Sequence, residues 1–258
     1  SATLDGIPLL GSVAAATPQS GMTFVVLTMA QDDVYEDALP LFDALFFSFD
    51  VLISGIERGE AGAPLPEIGG LLFVDDFSDP TSGLYDDAEA QAWGRGYYDA
   101  KTERYIYALA PAPGAIYDYY ADVALPDSFA LQVSTSYTGT DNNAYGLIFQ
   151  MVDEESFYLF RVSGDGYFLV EKASAEGVVP LIDWTIADNI ATGEGGENVL
   201  TVVAQAGDYA VYINDAQVGH FSDEEYSGGS FGLVADAYDL ETPASFFYDD
   251  LIVAELAE

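Results

Sequence analysis

Apolar and polar residues alternate in short runs over most of the chain. Residues 7–16 and 22–30 read as two strands, with Pro18–Gly21 as the turn between them. The second, Met22–Met29, is an unbroken β-favouring run, the pattern of a strand buried on both faces. Residues 34–49 then change period. Tyr35, Leu39, Phe42, Leu45, Phe46 and Phe49 fall at helical steps of three and four. Asp32 or Asp33 supplies the N-cap, and Pro40 delays or kinks the helix. Its polar positions are acidic, so the apolar stripe is read as core packing and not as a membrane-surface helix.

Residues 54–70, SGIERGEAGAPLPEIGG, lose this periodicity and read as a Gly/Pro-rich linker. Three parts follow: an α/β module of two strands and a helix (1–53), the linker (54–70) and a strand-rich domain (71–258). The module is too small to bury much alone.

From residue 71 onward the elements are strands. The segments 71–77, 94–99, 103–109, 116–124, 128–137, 144–151, 156–163, 166–172, 197–205, 208–213, 216–221, 229–236 and 245–255 are bounded by turn residues. Ser163–Gly166, Gly207-Asp208 and Asn214-Asp215 carry the residues that tight hairpins need. Tyr145, Leu147 and Phe149 fall on one face and Gly146, Ile148 and Gln150 on the other, so both faces of that strand are expected to be covered. Strands at this density predict a mainly β fold, an antiparallel two-sheet sandwich. Its first strand (75–77) and last (248–251) are expected to pair.

The order of these segments carries a resemblance. It runs through LLFVDDFSDPTSGLY (71–85), GRGYYDAKTERYIY (94–107), NNAYGLIFQMVDEESFYLFRVSGDGYFLVEK (142–172) and PLIDWTIADNI (180–190). GENVLTVVAQAGDYAVYINDAQVGHF (196–221), GGSFGLVADAY (228–238) and ASFFYDDLIVAEL (244–256) complete it. Residues 71–256 resemble the concanavalin A-like, laminin-G-like jelly roll of bacterial extracellular proteins. Residues 1–53, through two strands and the segment YEDALPLFDALFFSF, resemble the C-terminal end of the α/β sandwich of photosystem extrinsic proteins.

Composition narrows the function. The chain carries 44 acidic residues against 6 Lys+Arg, a formal charge of −38, with 50% hydrophobic residues. Non-specific nucleic-acid binding and polybasic membrane anchoring both need basic residues and are excluded. High aromatic content excludes a disordered acidic tail. Area scaling spaces the net charges by roughly 17 Å, about two Debye lengths at physiological salt. The charge therefore signals a solubilised, secreted surface and not an oppositely charged partner. No run of about 18 apolar residues predicts a membrane span. The start at Ser1 fits a processed or partial chain.

The absence of cysteine removes disulfides and thiolate chemistry, and His220 is the only histidine. The jelly-roll resemblance implies that some relatives are glycoside hydrolases, with acids in an E-x-D-x-x-E strand pattern. That pattern does not occur; Asp153–Glu155 and Asp223–Glu225 fall at expected turns. No G-x-S-x-G elbow accompanies His220. The resemblance also implies a structural Ca²⁺ near the terminal strands. Ca²⁺ takes six to eight oxygen ligands; Asp75, Asp76, Asp79, Asp249 and Asp250 are the candidates, with chelation expected to loosen that edge. Trp93, Tyr97 and Tyr98 are the candidate aromatic platforms for a glycan or a protein interface. Trp184 is expected to be packed. Arg161 and Lys172 are expected to neutralise neighbouring carboxylates. These features predict a non-catalytic extracellular subunit acting through self-association with other protein subunits. A carbohydrate-binding module is the alternative and a glycoside hydrolase the second.

Overall fold

The computed structural model describes residues 2–4, 7–16, 24–31, 64–66, 68–87, 94–111, 114–238 and 241–256. Its contacts divide into two units, residues 1–58 and 59–258. In the first, β1 (Ala2–Leu4), β2 (Ile7–Ala16) and β3 (Phe24–Gln31) form an antiparallel sheet in that order. The strands expected at 7–16 and 22–30 are thus present. The helix expected over 34–49 and the turn at 18–21 lie outside the described residues.

The second unit is two antiparallel sheets. One runs β12 (Gly177–Ile186), β11 (Tyr167–Ser174), β10 (Ser156–Ser163), β9 (Ala144–Asp153), β16 (Ser230–Ala237), β7 (Gly114–Tyr119). The other runs β15 (Ala216–Ser222), β14 (Asp208–Ile213), β13 (Asn198–Gln205), β8 (Ser128–Thr138), β17 (Ala244–Leu256), β6 (Arg104–Leu109), β5 (Gly94–Asp99). β4 (Ile68–Asp75) also pairs with β17, with Asp75 opposite Leu251, so the terminal strands lie side by side as expected. β4 begins at Ile68, inside the Gly/Pro-rich stretch. This is the mainly β, two-sheet jelly-roll architecture.

Turn chemistry sets the hairpins. Asn214 and Asp215 both take positive φ (50° and 65°), as do Ala206 and Gly207 (51° and 89°). Both pairs have the hand that matches strand twist. One strand departs from expectation. No element is expected between 172 and 197, yet β12 occupies 177–186. Pro180 lies within it, which a sheet tolerates only at an edge; β12 is the edge strand there.

Alternation divides the side chains of the six-stranded sheet. Tyr145, Leu147, Phe149, Tyr158, Phe160, Val162, Phe168, Val170 and Leu233 enter the core between the sheets. Ile148, Met151, Phe157, Leu159, Ala173 and Val234 form a second buried cluster on the outward face. Both faces of this sheet therefore bury apolar area, so the central strands read as continuous apolar runs.

Lys172 links the two sheets at one end. Its Nζ lies 2.7 Å from Asp223 Oδ2 and 2.8 Å from Glu225 Oε2, in the loop after β15. Tyr158 donates to Asp223 Oδ1 at 2.8 Å. Burial opposes ionisation of Asp223, but the bonds from Lys172, the Glu225 N–H and Tyr158 outweigh it and hold the carboxyl below its ordinary 3.8. The same bonds raise the Lys172 ammonium. A depressed carboxyl contributes stability above its unfolded pKa and loses it as pH falls through the folded value. Lys172→Met is thus expected to lower Tm at pH 7, with the gap from wild type narrowing below about pH 4. Thermal melts across pH 2–7 check this, and a gap independent of pH would refute it.

Candidate functional site

On the outward face of the six-stranded sheet, β10 presents Phe157, Leu159, Arg161 and Ser163 in alternation. Arg161 lies opposite Leu169 of β11 and Gly146 of β9. Glu171 comes from β11 and Asp236 from β16, on the same face. The guanidinium pairs with both carboxylates, and its Nη1 is 3.5 Å from the Tyr238 hydroxyl. That hydroxyl is also 3.5 Å from Asp236 Oδ2. The Arg161 side chain is only 9% exposed, and its Nε is buried without a partner. Removing one member of such a buried pair leaves an uncompensated charge.

Next to this network opens a pocket of about 340 Å³ lined by Asn142, Ser163, Asp165, Tyr167, Trp184 and Tyr238. The β10–β11 turn builds one wall. Gly166 takes φ +99°, the Gly166 N–H donates to Ser163 O, and the Ser163 hydroxyl donates to Asp165. Trp184 stands on β12 next to a register shift between Phe168 and Val170 of β11. Bulges re-aim side chains, and Trp184 lines the pocket, half-buried, instead of entering the core as its sequence context suggested. The pocket thus joins aromatic surface to donors and acceptors. Its walls come from four separate segments of the chain, so no local motif marks it. The one signal the sequence carries for it is the period of two along β10, which puts Arg161 and Ser163 on one face.

The five acids singled out for Ca²⁺ occupy separate environments. Asp75 is buried, and its carboxylate accepts from the Phe77 N–H (2.8 Å), the Ser82 hydroxyl (2.5 Å) and the Tyr120 hydroxyl (2.6 Å). Asp76 and Asp79 are exposed. Asp76 accepts from the hydroxyl and N–H of Ser78, and Asp79 from those of Thr81. These bonds hold both carboxyls below the usual range. Asp249 accepts from Arg104 Nε at 3.2 Å, and Arg104 also reaches Glu197 at 3.2 Å. Burial pushes the Asp249 carboxyl up despite that partner. Asp250 follows at a bulge with φ 49°. Among the described residues, no three or more His, Asp or Glu side chains converge as a metal centre.

The aromatic candidates also separate. Trp93 lies outside the described residues. Tyr97 lies beneath the Arg95 guanidinium, 3.9 Å from its ring centre. Tyr98 faces the other way and is buried, its hydroxyl meeting Ser82 (3.0 Å) and accepting from the Leu84 N–H (3.0 Å). Arg161 and Lys172 neutralise carboxylates as expected. Asp153–Glu155 and Asp223–Glu225 sit at the expected turns. His220 is exposed on β15.

The two sheets, their strand order and this outward face define a concanavalin A-like, galectin-like jelly-roll sandwich. Solved structures share the fold. The carbohydrate-binding module CBM66 from Bacillus subtilis aligns with TM-score 0.51 and 15% identity over 66% of this chain and 100% of that one. A protein of unknown function with a galectin-like fold from Bacillus subtilis gives 0.53 and 11% over 75% and 100%. Neither of these two supports the photosystem-type resemblance of residues 1–53. No family model matches the sequence, and no curated protein matches it. Among the described residues no helix is long and apolar enough to cross a membrane.

Asp75 decides whether the terminal edge holds. Asp75→Ala strands the buried Tyr120 hydroxyl and the Phe77 N–H and leaves the Ser82 hydroxyl only Tyr98, and is expected to cost about 3 kcal/mol, against about 1 kcal/mol for Tyr120→Phe. Urea unfolding of both variants checks the order; equal, small losses would show that Asp75 does not organise this edge.

Proposed function

We propose that this protein is a carbohydrate-binding module acting outside the cell, and that its site is the Trp184–Tyr167–Tyr238 pocket. The observation that carries this reading is the joining of three aromatic side chains to Asn142, Ser163 and Asp165 in one open pocket. A sugar ring presents an apolar face to an aromatic ring and hydroxyls at its rim, and pockets with aromatic walls and a few placed polar groups suit such ligands. The buried Arg161–Glu171–Asp236 network fixes one wall, so little side-chain freedom is lost on binding. The fold shared with CBM66 supports the reading.

Titration with soluble neutral polysaccharides, followed by calorimetry and tryptophan fluorescence, tests it. Trp184→Ala is expected to lower affinity at least tenfold with Tm unchanged, and no reducing ends should be released. A broad glycan panel without binding, or unchanged affinity in Trp184→Ala, would overturn the reading.

A second reading, association with other copies, is favoured by β4. Leu71, Leu72 and Val74 are 61%, 46% and 52% exposed on a strand paired on one side with β17. Exposed apolar edge strands are templates for pairing. Light scattering at physiological salt is expected to show an oligomer that Leu72→Lys converts to monomer. A wild-type monomer at high concentration would end this second reading.

A further inference from the structure

A larger cavity, about 510 Å³, opens at the other side of the six-stranded sheet, beside edge strand β7. Tyr85 is exposed on its rim at 68%, and Tyr105 and Ile116 form its floor; the Tyr117 ring turns to the other face of β7, against Phe157. Its charged lining is two carboxylates, Asp87 and Asp118. Asp118 lies opposite Leu233 on β7, a register that turns it toward the space between the sheets. It accepts from the Tyr85 N–H and, at 2.8 Å, from the Tyr119 N–H. Asp87 accepts weakly from the Gly96 N–H at 3.4 Å, which leaves its oxygens open.

No basic side chain lines this cavity among the described residues. The nearest by sequence, Arg95, alternates away from Gly96 on β5 and covers Tyr97 on the opposite face. The result is a recess with tyrosine walls and two acids lacking a countercharge. Burial raises the Asp118 carboxyl, the two backbone N–H bonds oppose this, and the Asp87 charge adds to the rise. A cation seated there would relieve that repulsion. Tyrosine faces attract cations, and a weakly hydrated organic ammonium gains most from such walls.

We propose that this cleft binds an organic ammonium group carried on a small ligand, at a site separate from the glycan pocket. Tyr85 faces its apolar substituents, and Asp87 and Asp118 meet its charge.

Tetramethylammonium and n-butylammonium, titrated into ¹⁵N-labelled protein, test the proposal, with neutral 3,3-dimethylbutanol as the uncharged control. The expected result is a saturable shift of the Tyr85 and Tyr119 amides. Asp118→Asn and Asp87→Asn should each weaken it at least tenfold, and the alcohol should be silent. Tyr85→Ala alters only an exposed side chain, so folding is spared; it should weaken binding severalfold. Trp184→Ala should leave it unchanged, which separates failure here from failure of the glycan reading. Shifts spread over the acidic surface, equal response to the alcohol, or full binding in both Asp118→Asn and Tyr85→Ala would overturn it.

Discussion

The sandwich depends on aromatic packing between its two sheets, fastened by tyrosine hydroxyls that cross the gap. Tyr107 on β6 donates to Leu233 O on β16 at 3.2 Å, and Tyr248 on β17 donates to Val234 O at 2.6 Å. Both rings are fully buried, 5.6 Å apart and edge to face. A phenylalanine would fill the same volume and leave those carbonyls short of a donor. Tyr120 does the same for Asp75, and Tyr209 stacks on Phe221 at 4.8 Å. Burial pushes these phenols upward, Tyr209 to about 12. They therefore remain donors throughout the physiological range.

This core fixes where the rest of the chemistry sits. Because β9, β10 and β16 lock one face into the inter-sheet space, their alternate residues must face outward together. That is how Arg161, Glu171 and Asp236, from three strands, come to form one network. It also explains how basic residues serve in so acidic a chain. Arg161, Lys172 and Arg104 each meet two carboxylates across strand or loop boundaries. Exposed acids such as Asp76 and Asp79 are satisfied within their own turns by neighbouring Ser and Thr hydroxyls.

Much of this was legible beforehand. Period-two runs and turn residues placed most strands, and the pairing of the terminal strands followed from the jelly-roll order. β12 escaped because Gly177–Ile186 carries Pro180 and little alternation; it is held in place by β11 and not by its own pattern. The acids near residues 75–79 and 249–250 looked like one cluster because their strands pair. Asp75 is buried against Tyr120, Asp76 and Asp79 close on Ser78 and Thr81 in the turn beyond β4, and Asp249 and Asp250 line a cleft with Arg104, which no count of acids reveals.

The sequence by itself determined the architecture, because strand period, turn chemistry and burial of β-branched and aromatic residues are local or nearly local properties. It also determined which partners the surface excludes, since net charge is a sum over residues. Only the tertiary structure decided which side chains meet. Tyr98 looked like a platform and is buried; Trp184 looked like core and lines a pocket. Neighbours in a strand point to opposite faces, and one bulge reverses that parity for every residue beyond it. The sites therefore follow from register between strands distant in sequence, a relation that no single segment encodes.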